Sequence, residues 1–104
     1  MTVIWFTGLP CSGKTTVANK LFEKLKKQGL KVERLDGDIV RKRLSKDLGF
    51  SKKDRETNID RITFVSNLLS RNGVIVLATF VSPFRRRRRL TRREIGDRYV
   101  EVFV

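Results

Sequence analysis

The chain has 104 residues, with 24 Lys and Arg against 11 Asp and Glu for a net charge of +13, so its expected partners are anionic. One cysteine and no histidine exclude an internal disulfide framework, a metal centre built on cysteines or histidines, and a histidine-based catalytic triad. Hydrophobic residues make up 39%, enough for one modest core, and the length suits one domain over residues 1–104.

Val3-Ile4-Trp5-Phe6-Thr7 is a short apolar run closed by Gly8, the pattern of a strand buried on both faces of a parallel sheet. It lacks the basic lead-in of a secretory signal, and no apolar run reaches the roughly 18 residues that span a bilayer. The cytoplasm is the expected location, with no membrane partner. From Thr15 to Gln28 the spacing predicts a helix, with Val17, Ala18, Leu21, Phe22 and Leu25 as its apolar stripe and Gly29 as its stop. Leu30 to Leu35 alternates apolar and charged residues, as a strand near a sheet edge does. Ile39 to Asp47 reads as a short helix and Leu48-Gly49-Phe50 as a loop. Ser51 and Asp54 form a cap pair opening a long helix whose apolar positions are Ile59, Ile62, Val65, Leu68 and Leu69. Val74 to Ala78 reads as a second buried strand, Phe80 to Phe84 as a loop, residues 85 to 94 as a very basic helix, and Tyr99 to Val104 as a last strand. Residues 85–98 hold eight Arg against Glu94 and Asp97, a net of +6 within the total of +13. The alternating order of strands and helices predicts an α/β fold: a parallel sheet with helices on both faces.

Gly8-Leu9-Pro10-Cys11-Ser12-Gly13-Lys14-Thr15 matches G-x-x-x-x-G-K-[ST], between the strand and the amphipathic helix that this pattern requires. Glycines let the backbone aim several N–H groups inward, and the helix N-terminus adds to the anion site. The expected ligand is ATP, held by Gly8 through Thr15 with Thr16 on the α-phosphate. Lys14 would reach the β- and γ-phosphates, and Thr15 would ligate Mg²⁺. Cys11 reads as a small side chain within the loop rather than a reactive thiolate.

Asp36-Gly37-Asp38 follows the second strand, so both acids lie at the carboxyl edge where parallel sheets bind ligands. One carboxylate would hold Mg²⁺, directly or through water, and the other would accept a proton from an attacking hydroxyl. A helix N-cap by Asp38 is the plainer alternative.

Several motifs then coincide: the loop Gly8 to Thr15, Asp36-Gly37-Asp38-Ile39-Val40-Arg41, Asp47-Leu48-Gly49-Phe50-Ser51, Asp54-Arg55, Asn58-Ile59, Arg61, Phe80-Val81-Ser82-Pro83-Phe84-Arg85, and the closing Tyr99 to Val104. In order and spacing they resemble adenylylsulfate kinase, over essentially the whole chain. The resemblance implies a P-loop fold and transfer of the γ-phosphate of MgATP to the 3′-hydroxyl of adenosine 5′-phosphosulfate. It assigns Asp38 as the base, with Asp36 assisting Mg²⁺. Arg41, Phe50, Arg55 and Asn58 fall on substrate positions, and Ser82 on a serine often labelled a phosphoserine intermediate. The residue types fit those roles. Phe50 can stack on adenine, and Arg41 and Arg55 can clamp phosphosulfate with forked bonds. With no histidine to activate it, Ser82 reads better as a substrate contact than as a nucleophile.

The resemblance further implies a homodimer, as well as a basic lid and a last strand beyond the fourth. The 104 residues do not include those two parts, so about four strands are expected. A fragment, a truncated product, or an inactive or partner-completed nucleotide-binding chain all stay open, as does another small-molecule P-loop kinase. Singly, Phe50 reads as a core aromatic, Arg41, Arg55 and Arg61 as solvated charges, and Asn58 as a water-facing amide. Arg85 fits the S-P-F-R motif, and Arg86 to Arg89 read as a solvated helix face or as electrostatic steering. Nucleic acid is not the expected partner, since the run lacks interleaved aromatics and any recognised binding module.

Overall fold

Strand β1 (Val3–Thr7) lies inside a four-stranded parallel sheet of order β2-β3-β1-β4, between β3 (Ile75–Thr79) and β4 (Tyr99–Phe103). The fold is a computed structural model describing residues 1–8, 13–80 and 85–104, with only the backbone described at Asp38 and at 85–87. β2 (Val32–Asp36) pairs with β3 alone, matching its alternating edge-strand sequence. The helices are α1 (Lys14–Lys27), α2 (Gly37–Lys42), α3 (Lys52–Arg71) and α4 (Arg85–Ile95), and a 3₁₀ turn at Gly96–Arg98 leads into β4.

The period-two geometry of the strands divides the core into two layers. Val3 and Trp5 of β1 and Val76 and Ala78 of β3 pack with Val40, Ile59, Ile62, Ile95 and Tyr99, on the face covered by α2, α3 and α4. Phe6, Ile75 and Leu77 point the other way and pack with Ala18, Leu21, Phe22 and Leu25 of α1. Helices therefore cover both faces, as the alternating element order predicts. Among the described residues, no helix is long and apolar enough to cross a membrane.

Several local expectations need correction. Helix α2 begins at Gly37 and ends at Lys42, rather than running from Ile39 to Asp47. Its start moves because Asp36, not Asp38, is the N-cap: the Ile39 N–H donates to Asp36 Oδ1 at 3.0 Å. Its end moves because Arg43 leaves helical geometry and the chain folds back, with both Arg43 N and Ser45 N donating to Val40 O. The Ser51–Asp54 pair caps in one direction only. Asp54 N donates to Ser51 Oγ at 3.1 Å, but the Asp54 carboxylate accepts from Gly49 N at 2.9 Å instead of returning to Ser51. Val17 and Leu68 are exposed rather than part of their helices' buried stripes.

The stripe that α3 buries includes small hydroxyl residues. Thr63, Ser66 and Ser70 are fully covered, and Thr63 Oγ1 lies 3.0 Å from Thr91 Oγ1 of α4. Small side chains let α3 and α4 approach closely, and the hydroxyl pair satisfies two buried polar groups. Arg98 ties the 3₁₀ turn to the same helix, donating to Asn67 Oδ1 and Ser70 Oγ.

Candidate functional site

The phosphate-loop motif leaves β1 at its carboxyl end and enters α1. Gly8 and Gly13 both have positive φ, 143° and 92°, which L side chains rarely adopt, so glycine is needed at each end. Residues Leu9, Pro10, Cys11 and Ser12 lie outside the described residues. Lys14 opens α1 and folds back across the loop: its Nζ donates to Gly8 O at 3.1 Å, and only 8% of the residue is exposed. Thr15 and Thr16 are exposed in the same first turn.

Helix α1 differs from the next two helices in how it begins. Asp36 caps α2 and Ser51 caps α3 through their side chains. Gly13 offers α1 no side-chain cap, and the first turn holds no acidic residue. The positive end of its dipole therefore meets no acidic side chain of its own first turn, a setting that suits an anion.

Register places the acids beside this loop. Asp36 pairs with Thr79, and Thr79 with Phe6, so the ends of β2, β3 and β1 meet at one edge of the sheet. Asp36 Oδ1 is engaged with Ile39 N, which leaves the other carboxylate oxygen for a ligand. Asp38 follows in the first turn of α2, and its side chain lies outside the described residues. Arg34, which no sequence motif singles out, braces this edge. It donates to Asn19 Oδ1 on α1 at 3.0 Å, to Leu77 O at 3.0 Å and to Thr79 Oγ1 at 3.2 Å. Burial lowers its pKa, against the raising effect of nearby Asp36. Its one signal in the sequence is a charged residue inside a strand.

A second group gathers around residues 41–61. Arg41 donates to Gly49 O at 2.8 Å, and its guanidinium lies 4.4 Å from the centroid of the Phe50 ring. Phe50 is 78% exposed, which overturns the core-aromatic alternative. Arg61 is a surface charge with a fixed partner: it grips Asp47 with two bonds of 2.7 and 3.1 Å and also donates to Leu44 O. The hydrogen bonds from Arg61 hold the Asp47 carboxyl below the usual carboxylate range. Such an exposed pair adds little stability, but its forked geometry sets the path of the loop that carries Phe50. Gly49 serves the same loop, because a Cβ there would come within 3.1 Å of Asp54 Oδ2.

Arg55 and Asn58 sit one turn apart on α3. Arg55 is exposed, but Asn58 is only 5% exposed, not water-facing, and its Oδ1 has no hydrogen-bond partner among the described residues. Leaving a buried acceptor unpaired costs about 1–3 kcal/mol, so its position invites a donor from a ligand. Ser82 lies outside the described residues, and neither its contacts nor a covalent role enters this geometry. The structure thus joins Arg41 to Phe50 directly, and Gly8 to Lys14.

A family model described as adenylylsulphate kinase matches residues 1–104. The chain belongs to the adenylylsulfate kinase family. It is 58% identical to an adenylyl-sulfate kinase of Picosynechococcus over 101 residues, 97% of this chain and 56% of that protein. It is 55% identical to a probable adenylyl-sulfate kinase of Pseudomonas aeruginosa, over 98% of this chain and 47% of that one. The chain therefore spans about half the length of the curated relatives it matches. The structure of the Mycobacterium tuberculosis APS kinase in complex with AMPPNP and APS superposes with a TM-score of 0.92 at 41% identity, covering 98% of this chain and 61% of that one. These likenesses bear out the α/β P-loop kinase fold expected from the motifs.

Proposed function

We propose that residues 1–104 act as a phosphate-loop kinase domain that transfers the γ-phosphate of ATP to the 3′-hydroxyl of adenosine 5′-phosphosulfate. The observation that carries this reading is the start of α1 at Gly13, with no side-chain cap from that glycine and no acid in the first turn, together with Lys14 Nζ turned back to Gly8 O. Family membership and the Mycobacterium tuberculosis complex with AMPPNP and APS support the pair of substrates.

In this reading Gly8 to Thr16 hold the triphosphate, and Lys14 neutralises charge building on the γ-phosphoryl oxygens. Arg41 and Arg55 clamp the phosphosulfate, Phe50 stacks on adenine, Asn58 supplies its buried amide, and Ser82 touches the acceptor. The 3′-oxygen bonds to the γ-phosphorus as the bond to the β,γ-bridging oxygen breaks. Asp38 takes the hydroxyl proton, and ADP leaves with the bridging oxygen. The Thr15 hydroxyl and the unengaged Asp36 oxygen are hard donors of the kind Mg²⁺ prefers. When bound there, Mg²⁺ would neutralise phosphate charge. Cys11 as the lone cysteine suits a reducing cytoplasm. A homodimer is the expected assembly on the family resemblance, and the exposed Phe64 and Leu68 on α3 offer apolar surface for it.

The test is ADP release from MgATP with and without adenosine 5′-phosphosulfate. Turnover that depends on this acceptor supports the proposal. Turnover with a different acceptor redirects it to another small-molecule kinase. Nucleotide binding without turnover leaves only the nucleotide-binding chain.

Two substitutions separate roles within the site. Phe50→Ala should leave the unfolding midpoint within about 0.5 kcal/mol of wild type, because the ring is exposed. It should raise KM for the phosphosulfate by on the order of 5- to 150-fold, the worth of one stacked base. An unchanged KM would remove Phe50 from the substrate site. Asp36→Asn keeps the cap, since Asn and Asp cap alike, and so should keep thermal stability. The same change should raise the Mg²⁺ concentration needed for half-maximal ADP release, whereas Asp36→Ala should also cost about 1 kcal/mol of stability. A wild-type Mg²⁺ titration in Asp36→Asn would assign Asp36 to capping alone.

A further inference from the structure

Seven arginines lie within α4 (Arg85–Ile95), and the proposed transfer uses none of them. Three with described side chains, Arg88, Arg89 and Arg92, line a concavity of about 200 Å³ together with Glu101 of β4. We propose that this concavity is a binding site for a compact, multiply charged oxyanion of the phosphate class, separate from the phosphate loop.

Charge is the first support. Three guanidinium groups face one carboxylate, and that carboxylate is already engaged. Glu101 Oε1 accepts from the Tyr99 hydroxyl at 3.2 Å, and Oε2 lies 3.5 Å from Arg92 Nη2. The lining residues therefore carry a net charge of +2, which a doubly charged anion would balance. Spacing is the second. Arg88 and Arg92 are four residues apart, and Arg89 and Arg92 three, so the helix holds like charges on one face at a cost to its own stability. The first turn has no acidic residue to offset Arg88, which lies in the half of the helix where the dipole disfavours cations. Arginine forks suit a tetrahedral oxyanion, which would relieve this repulsion.

Size and shape narrow the ligand. Pockets for drug-sized molecules run to roughly 300–1,000 Å³, so this one suits phosphate or pyrophosphate rather than a whole nucleotide. Arg92 is held in place from below, its guanidinium 5.1 Å from the centroid of the Tyr99 ring. The location is distinct too. Glu101 pairs in register with Trp5 inside the sheet, on the face carrying α3 and α4, whereas the phosphate loop runs into α1 on the opposite face.

The chain carries its own reporter. Its one tryptophan, Trp5, lies 6.3 Å from Tyr99, which in turn sits beneath Arg92. Pyrophosphate should be titrated into the full chain carrying Lys14→Ala, which weakens the phosphate loop, at constant ionic strength, while Trp5 fluorescence and heat of binding are followed; binding left at the loop is told apart by its indifference to the α4 arginines. The expected result is saturable binding that weakens on the order of tenfold in Arg88→Gln and again in Arg92→Gln. Glu101→Gln, which removes the one opposing charge, should tighten binding severalfold. Arg92 is exposed and Arg88 and Glu101 are half-buried, so circular dichroism would verify the fold of each variant. A response that chloride reproduces, or that persists in both arginine variants, would overturn the proposal. Weakening rather than tightening in Glu101→Gln would overturn it as well. Tighter binding of a single-stranded oligonucleotide that displaces pyrophosphate would replace it with a nucleic-acid surface.

Discussion

Lys14→Ala should abolish phosphoryl transfer, lowering acceptor-dependent ADP release by at least roughly 10²–10³-fold, the scale for losing one preorganised donor at a transition state. Lys14 Nζ sits 3.1 Å from Gly8 O and is almost wholly buried, so its charge is held over the loop before any nucleotide arrives. Binding therefore turns a side chain that is already held in place toward phosphate oxygens, with little side-chain ordering left to accomplish. Alanine leaves the backbone donors of α1 in place, so nucleotide affinity should fall less than turnover does. Lys14→Arg should not rescue, because a planar fork cannot replace a compact ammonium at this buried position. Turnover near wild type in Lys14→Ala would remove the residue from the chemistry and undo the proposed mechanism. The readouts are a coupled ADP assay and equilibrium binding of a labelled nucleotide.

Trp5→Ala should have the largest effect on stability, about 3–5 kcal/mol, the usual cost of emptying a buried tryptophan site. Trp5 is 1% exposed and makes tilted ring contacts with Phe80 at 5.7 Å and Tyr99 at 6.3 Å, joining β1, the end of β3 and β4. A domain this small has a total stability of about 5–15 kcal/mol, so the loss is a large fraction of it. The unfolding temperature should drop by on the order of 20 °C. Trp5→Phe should cost less, since it keeps an aromatic ring and removes an indole N–H that has no partner among the described residues. Urea midpoints with matched m-values would measure both losses. An unchanged midpoint in Trp5→Ala would contradict this account of the core. Nucleotide binding should fall with folding, because Gly8 begins where β1 ends.

Much of the architecture was legible because it depends on short-range rules. Five apolar residues ending at Gly8 read as a central strand, and β1 is one. The alternation of apolar and charged residues over Leu30 to Leu35 reads as an edge strand, and β2 is one. Helix ends were less legible where a side chain had two possible partners. Asp36 and Asp38 are chemically equal candidates for a cap, and only the path of the chain out of β2 selects Asp36. Asp54 could return to Ser51 or reach Gly49, and the close approach of a glycine decides for Gly49.

The phosphate loop, the order of strands and helices, the family and the excess of positive charge could all be read from the amino-acid order, because each is a local pattern or a simple sum. Which charges are paired emerged only from the folded chain. Arg61 locks onto Asp47, Arg34 spans two strands and α1, and Arg41 covers Phe50, while Arg92 pairs with Glu101 in a concavity that Arg88 and Arg89 also line. Distance makes the difference: ion pairs and hydrogen bonds act over a few ångströms, so residues far apart in the chain become partners only once the sheet has set their separation.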